Sequence, residues 1–126
     1  MISEALMTES ILKVLREEPG GWLAYHTHDS RRSEPGFPDI NAQELNLPYR
    51  SIYLELKTEG RGLDKKKWSK IAKRWLPGQD DWARFLTAAP GVEYYHIWPS
   101  DLEWLYQYLI DAEAPHNEQG ERVGTK

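Results

Sequence analysis

Apolar and polar residues alternate most regularly between positions 38 and 57, on both sides of the turn-forming cluster Asn46-Leu47-Pro48. Two short runs of period two around such a cluster predict a β-hairpin. If the turn centres on Leu47, Asp39 lies opposite Glu55. Because successive side chains point to opposite faces of a strand, one face is predicted to pack on a core: Ile40, Ala42, Ile52, Leu54 and Leu56. The other face is polar and carries Asp39, Asn41, Tyr53, Glu55 and Lys57.

The other periodic segments predict two strands, over 22–28 and 92–98, and four helices, over 3–18, 63–75, 79–88 and 99–112. Ser3 is the expected N-cap of the first helix. The apolar side of that helix is predicted to be Ile2, Ala5, Leu6 and Leu12, widened by Met7, Ile11 and Val14. Helical spacing predicts the core-facing residues of the later helices, namely Trp68, Ile71, Ala72 and Trp75, then Trp82, Phe85 and Leu86, then Leu102, Leu105, Tyr106 and Leu109.

These elements predict an α/β domain over residues 1–112, with a central mixed sheet of about four strands and flanking helices. A chain of 126 residues suits a single domain. Residues 113–126 are polar and are predicted to be a disordered tail. No apolar run approaches the ~18 residues of a membrane span, so no membrane association is expected.

The charge of the chain is unevenly distributed. The net charge of −4 argues against a uniformly basic nucleic-acid-binding surface. Eight of the sixteen basic residues nevertheless fall between positions 57 and 75. On the predicted helix over 63–75, we expect Lys66, Lys67 and Lys70 to face a phosphate backbone. Arg31 and Arg32, in the loop before Asp39, are further candidate phosphate donors. For each of these residues, an ordinary solvated surface charge is the alternative.

The chain has no cysteine, which excludes disulfides, thiolate zinc sites and iron–sulfur clusters. His26 and His28 lack a third soft ligand nearby, so a zinc site is not expected. The absence of cysteine fits a reducing cytosol, and a cytoplasmic location is the expectation.

The polar face of the hairpin has the strongest chemical signal in the sequence. Directly opposed strand residues have Cβ atoms roughly 4.5–5.5 Å apart, so Asp39 and Glu55 would repel each other. A hard divalent cation resolves that conflict, because Mg²⁺ is typically held by one or two carboxylates plus water. The alternative is a solvent-facing strand in which Glu55 pairs with Lys57.

A series of motifs then points to a family. The series comprises the segment from His26 to Ser33, Gly36-Phe37-Pro38-Asp39, Leu54-Glu55-Leu56-Lys57, Gln79-Asp80-Asp81-Trp82 and Trp98-Pro99-Ser100-Asp101. It resembles the virus-type replication-repair nuclease (VRR-NUC) domain of the PD-(D/E)XK superfamily, in its single-domain phage and bacterial form. The resemblance covers roughly residues 3–112. One departure is the stretch over 65–78, which looks like an inserted basic helix.

The resemblance implies a restriction-endonuclease-like core in which Asp39 and Glu55 hold the metal and Lys57 assists catalysis. Gln79 matches a supporting glutamine at the start of the following helix. The first-helix carboxylate of the family matches Glu9 or Glu4, with Glu9 preferred.

The implied activity is a Mg²⁺- or Mn²⁺-dependent DNA endonuclease that acts on branched DNA such as four-way junctions, as a homodimer, in a bacterial or phage-infected cell. Three alternatives stay open. They are a less selective flap- or single-strand-cleaving nuclease, a non-catalytic nucleic-acid-binding module that keeps the fold, and a structural protein with a solvated Glu–Lys strand.

Overall fold

A computed structural model of the chain describes residues 2–17, 20–27, 34–46 and 49–111. Its helices are α1 (Glu4–Arg16), α2 (Gln79–Ala88) and α3 (Leu102–Ile110), the last preceded by a short 3₁₀ turn (Pro99–Asp101). Its strands are β1 (Trp22–His26), β2 (Ile40–Glu44), β3 (Ser51–Leu56), β4 (Lys67–Ser69), β5 (Arg74–Leu76) and β6 (Glu93–Ile97). The predicted tail over 113–126 lies outside the described residues.

The central sheet has four strands in the order β1-β2-β3-β6. The first two pairings are antiparallel, and β3 pairs with β6 in parallel. Ile40 lies opposite Leu54, and Gln43 lies opposite Ser51. Each of these pairs is symmetric about position 47, so the predicted register of the hairpin is confirmed. The predicted mixed α/β architecture is confirmed as well.

Helices cover both faces of this sheet. The apolar face of the hairpin forms one core with Met7, Ile11 and Leu15 of α1 and with the buried side of α3. On the opposite face, Ala83 and Leu86 of α2 pack on Tyr94 of β6. The polar face of the hairpin therefore lies on the α2 side of the sheet, beside a second and smaller core.

The predicted buried sides of two helices need correction. In α1, Ser3 caps the helix as predicted, since its Oγ accepts the N–H of Leu6 at 3.1 Å. Leu6 itself is exposed, and the buried stripe is Met7, Ile11 and Leu15. Two adjacent apolar stripes run along this helix, and the core fully buries the one at spacing i, i+4, i+8, whereas Leu12 packs against it only partly buried. In α2, Phe85 is exposed because the smaller Ala83 faces the bulky Tyr94.

The helix predicted over 63–75 is wrong, because the chain forms a second hairpin there from β4 and β5. Trp68 lies opposite Trp75, and their ring centroids are 5.8 Å apart in an edge-to-face contact. Ile71, at the tip, is 96% exposed. A short helix depends on burying its apolar stripe, and no core covers these residues. The cross-strand Trp pair is the contact that stabilises the hairpin instead.

The turn of this second hairpin is stabilised by local hydrogen bonds. Ser69 Oγ accepts the N–H of Ala72 at 3.0 Å, and the backbone carbonyl of Ser69 accepts the N–H of Lys73 at 2.8 Å. Lys73 has a left-handed backbone with φ 56°. Within the described ranges, no helix has both the length and the apolar character that crossing a bilayer requires.

Candidate active site

Asp39 and Glu55 come together at one end of the first hairpin. Asp39 directly precedes β2 and Glu55 is the last residue but one of β3, so the register that pairs Ile40 with Leu54 brings them face to face. The N–H of Leu56 donates to Oδ2 of Asp39 at 2.8 Å. The N–H of Thr27 donates to the backbone carbonyl of Asp39 at 3.0 Å. Asp39 is therefore held from both neighbouring strands.

Glu55 is a buried carboxyl group with an unused acceptor. Its residue is 1% exposed, and its Oε2 makes no hydrogen bond. Burial, followed by the charge of Asp39, raises the pKa of Glu55 to about 10, while Lys57 opposes the shift. In the metal-free protein, burial beside a second carboxylate therefore favours the protonated form of Glu55, even with the Lys57 ammonium nearby.

These two carboxyl groups fit a hard divalent cation. A buried oxygen without a hydrogen-bond donor, next to a second carboxylate, offers the oxygen ligands that Mg²⁺ and Mn²⁺ prefer. In the part of the chain that the structure describes, no group of three or more His, Asp and Glu side chains forms a candidate metal site. Water and substrate oxygens would supply the other positions, as is usual for Mg²⁺.

Lys57 lies on the same face of the hairpin, immediately after β3. The residue is buried, and its backbone N–H donates to the carbonyl of Ile97 at 3.0 Å. Its ammonium lies 3.5 Å from Oδ2 of Asp64, whose side chain is 56% exposed. The chain thus holds a nearly inaccessible ammonium beside a solvated carboxylate, and the charge of this ammonium also acts on Glu55.

Gln79 is the first residue of α2, as predicted, and it anchors the segment that carries Asp64. Its side-chain Oε1 accepts the N–H of Asp64 at 2.8 Å. Gly78 makes this contact possible, because a Cβ there would lie 2.4 Å from the carbonyl carbon of Lys65. A Cβ on Gly36, which has φ +80°, would lie 2.7 Å from the carbonyl of Gly78. The backbones around Gly36, Lys65 and Gly78 are therefore in direct contact beside the two carboxylates.

The two candidate carboxylates of α1 are placed differently. Glu4 and Glu9 are both exposed and both line a cavity with Asp39 and His26. Only Glu4 contacts the segment after β3 in the described chain, since its Oε2 accepts the N–H of Thr58 at 3.3 Å. The charge of Glu4 also contributes to the raised pKa of Glu55. The geometry therefore favours Glu4 over the expected Glu9 as the neighbour of the site.

A cleft of about 580 Å³ opens over the carboxylate pair. Its lining combines the site with the base of the second hairpin and includes Asp39, Glu55, Asp64, Lys65, Lys67 and Gln79. Of the predicted phosphate donors, Lys67 lines the cleft and Lys70 is exposed in the hairpin turn. The ammonium of Lys66 lies 5.2 Å from the ring centroid of Trp75. Arg31, Arg32 and His28 lie outside the described residues.

Tyr94 is a site residue that the sequence did not indicate. It is 4% exposed, and its hydroxyl makes no hydrogen bond. Burial, then the charges of Glu55 and Asp39, raise the pKa of Tyr94 above its ordinary value. The charges of the two carboxylates act on Tyr94 because β6 pairs in parallel with β3 and sets Tyr94 beside Tyr53, two residues before Glu55. The sequence pattern predicts the β6 strand but not its neighbour in the sheet.

The arrangement combines a carboxylate pair that fits a divalent cation, a buried ammonium and a cleft whose lining includes Lys65 and Lys67. Such a set can neutralise charge on a phosphoryl group and place water beside it. Comparisons of this chain with protein-family models, with curated proteins and with solved structures give no match.

Proposed function

We propose that this protein is a divalent-cation-dependent nuclease that hydrolyses phosphodiester bonds in DNA. The observation that carries the proposal is the Glu55 carboxyl group, buried beside Asp39 with an oxygen that no donor satisfies. A buried acceptor without a partner costs stability. A group that destabilises the metal-free fold in this way is typical of a functional site. Asp39 and Glu55 would hold Mg²⁺ or Mn²⁺, which acidifies water and withdraws charge from a phosphoryl oxygen.

The chain's own residues position the other participants. Asp39 is fixed by the N–H of Leu56, so its carboxylate keeps one orientation as Glu55 loses its proton. Lys57 holds a positive charge on the same face, where it can stabilise the developing negative charge or orient the attacking water. Gln79 and Asp64 fix the loop that limits the movement of the Lys57 ammonium.

The substrate class is inferred from charge and from the VRR-NUC resemblance. Lys65 and Lys67 line the same cleft as the carboxylates and offer ammonium groups to a phosphate backbone. The resemblance extends the proposal to a restriction-endonuclease-like fold, branched DNA as substrate, and a homodimer with two active sites.

One experiment tests the activity and separates its alternatives. Labelled duplex, flap and four-way-junction DNA are incubated with the protein in Mg²⁺, Mn²⁺ or EDTA, with Glu55→Gln as the matched control. We expect cleavage only with a divalent cation and only by the wild type, with the junction cut fastest. If flaps and single strands are cut as fast as the four-way junction, the protein is the less selective nuclease. Binding without cleavage in either metal identifies a non-catalytic DNA-binding module.

Light scattering tests the dimer separately. We expect a mass of twice 14.7 kDa for the active form. A concentration-independent monomer that still cleaves junctions contradicts the homodimer.

A further inference from the structure

The second hairpin has two unlike faces. Because side chains alternate along β4 and β5, the Lys67–Leu76 pair lies on one face and the Trp68–Trp75 pair on the other. Lys67 and Leu76 line the cleft over the carboxylates. The tryptophans are 53% and 56% exposed on the face away from that lining. An aromatic surface is thus presented to solvent beside the candidate active site.

The side chains of the hairpin and of the two residues before it carry charge of one sign, and acidic partners come from outside: Glu34 lies 3.9 Å from Arg74, and Asp80 lies 3.7 Å from Lys65. Residues 65–76 contain six basic side chains and no acidic one: Lys65, Lys66, Lys67, Lys70, Lys73 and Arg74. The Lys66 ammonium lies over the Trp75 ring, so aromatic and cationic groups are interleaved and not segregated. A second copy of the same surface would bring like charges together, which disfavours self-association through it.

Alternating aromatic and basic side chains on one exposed ribbon match the chemistry of unpaired nucleotides. Every base has a π-face that can stack on an indole ring, and every nucleotide adds a phosphate for an ammonium. A base that stacks on Trp75 would displace Lys66 from the ring and leave its ammonium available to the adjoining phosphate. Bases within a duplex are already stacked and paired, so only the phosphates of a duplex are available to the second hairpin.

We propose that the Trp68–Trp75 face of the second hairpin binds single-stranded DNA that adjoins the cleaved phosphate. This inference rests on the proposed nuclease function and specifies its substrate as DNA in which an unpaired segment meets a duplex. One strand lies in the cleft on the Lys67 face, and the unpaired bases lie on the tryptophan face. The hairpin thereby selects forks, flaps and junctions whose bases are unpaired at the branch point over continuous duplex.

Binding measurements in EDTA test the proposal without requiring cleavage. Fluorescence anisotropy is recorded with a labelled single strand of about 15 nucleotides, a length that covers one such binding site, and with its duplex. Trp75→Leu keeps an apolar cross-strand contact but has no π-face, whereas Trp75→Phe keeps both. The same pair of substitutions is made at Trp68. Tyr49→Asn removes an exposed aromatic at the opposite end of the first hairpin and serves as control.

We expect each Leu variant to weaken single-strand binding by roughly ten-fold, as the loss of one base stack predicts, while duplex binding changes less than about two-fold. Each Phe variant should retain most of the affinity, and Tyr49→Asn should match the wild type. Equal losses on both DNAs, or unchanged single-strand binding in the Leu variants, overturn the proposal. A Leu variant that changes the protein's mass in light scattering but not its DNA binding assigns this face to contacts between copies instead.

The two proposals fail in different ways. If the tryptophan variants behave as expected but no metal supports cleavage, the nuclease function fails and the single-strand surface stands. If cleavage requires Glu55 but the Leu variants bind single strands normally, the nuclease function stands and the stacking surface fails.

Discussion

The backbone N–H of Leu56 donates a 2.8 Å hydrogen bond to Oδ2 of Asp39, so the carboxylate is fixed by the residue next to its opposing partner Glu55. Two groups that repel each other are thus held together by the hairpin register and by one charge-assisted hydrogen bond. The repulsion appears in the pKa of Glu55, which burial and Asp39 raise to about 10. A divalent cation relieves it, and the first two predictions follow from that relation.

Asp39→Asn and Glu55→Gln should each abolish metal binding and cleavage while the fold persists. Each change removes a negative oxygen ligand and little volume. Titration calorimetry with Mn²⁺ measures the first effect, and cleavage of labelled DNA measures the second. Unchanged Mn²⁺ affinity in both variants would show that the cation binds elsewhere. Asp64→Asn is the control, since it removes an exposed carboxylate from the same cleft, and we expect it to keep most of the metal affinity.

The stability of the metal-free protein should fall as the pH rises. Glu55 keeps its proton in the folded state up to pH about 10, whereas its ordinary pKa is 4.5. Between these values the folded state binds more protons than the unfolded state, so the free energy of unfolding decreases with pH. The slope is at most about 1.4 kcal/mol per pH unit. Urea unfolding in EDTA between pH about 7 and about 9 measures it.

Glu55→Gln is the matched variant for that measurement, because it cannot titrate. We expect its free energy of unfolding to fall less steeply with pH and to exceed that of the wild type at the alkaline end. Mg²⁺ should reduce the difference, because the cation replaces the proton and its affinity rises with pH. Parallel pH profiles for the two proteins would contradict a raised pKa of Glu55.

Lys57→Met should lower the single-turnover cleavage rate by at least about a hundred-fold, as for the loss of a group that acts in the transition state. DNA affinity measured in EDTA should stay near that of the wild type, because the residue is buried and offers little surface to the duplex. Asp64→Asn is the comparison, since it frees the Lys57 ammonium from its carboxylate partner without removing the charge. A near-normal rate for Lys57→Met would show that Lys57 does not act in the transition state.

Gly78→Ala should destabilise the protein and impair the site together. The added Cβ would lie 2.4 Å from the carbonyl carbon of Lys65, and an overpacked position of this kind typically costs 1–3 kcal/mol. The shift would also separate Gln79 from Asp64, so the cleavage rate should fall at temperatures where the variant is folded. Gly62→Ala is the control, because nothing lies within 4 Å of its added Cβ. Equal unfolding free energies for the two variants would contradict the close backbone contact.

Replacing Lys66, Lys67 and Lys70 by Gln should weaken duplex binding and flatten its salt dependence. Each lost phosphate contact removes roughly 0.9 from the slope of log affinity against log salt. The rate at saturating DNA should persist, because a phosphate contact made equally in the bound state and in the transition state affects binding and not the rate. Lys13→Gln on α1, which packs on the other face of the sheet from α2, serves as control. An unchanged slope in the triple variant would assign duplex binding to another surface.

The sequence by itself determined the first hairpin and the pair of carboxylates at its end. Apolar residues at period two leave one register in which Ile40, Ala42, Ile52 and Leu54 all reach the core, and a slip by one residue would expose them. The same register sets Asp39 opposite Glu55. The bounds of α2 were also predictable, because Pro77-Gly78 interrupts the chain and Gln79 opens a helical pattern that ends before Pro90.

Only the tertiary structure decided the second hairpin and the position of Tyr94. The stripe of Trp68, Ile71 and Trp75 fits a helix, but helical spacing predicts burial only where another element covers the stripe. No core reaches this segment, so the cross-strand tryptophan contact prevails and leaves both rings exposed. Tyr94 comes under the charge of the carboxylates through a parallel pairing between strands that are far apart in sequence. Local periodicity carries no information about such a neighbour, because the pairing is selected by the packing of the whole domain.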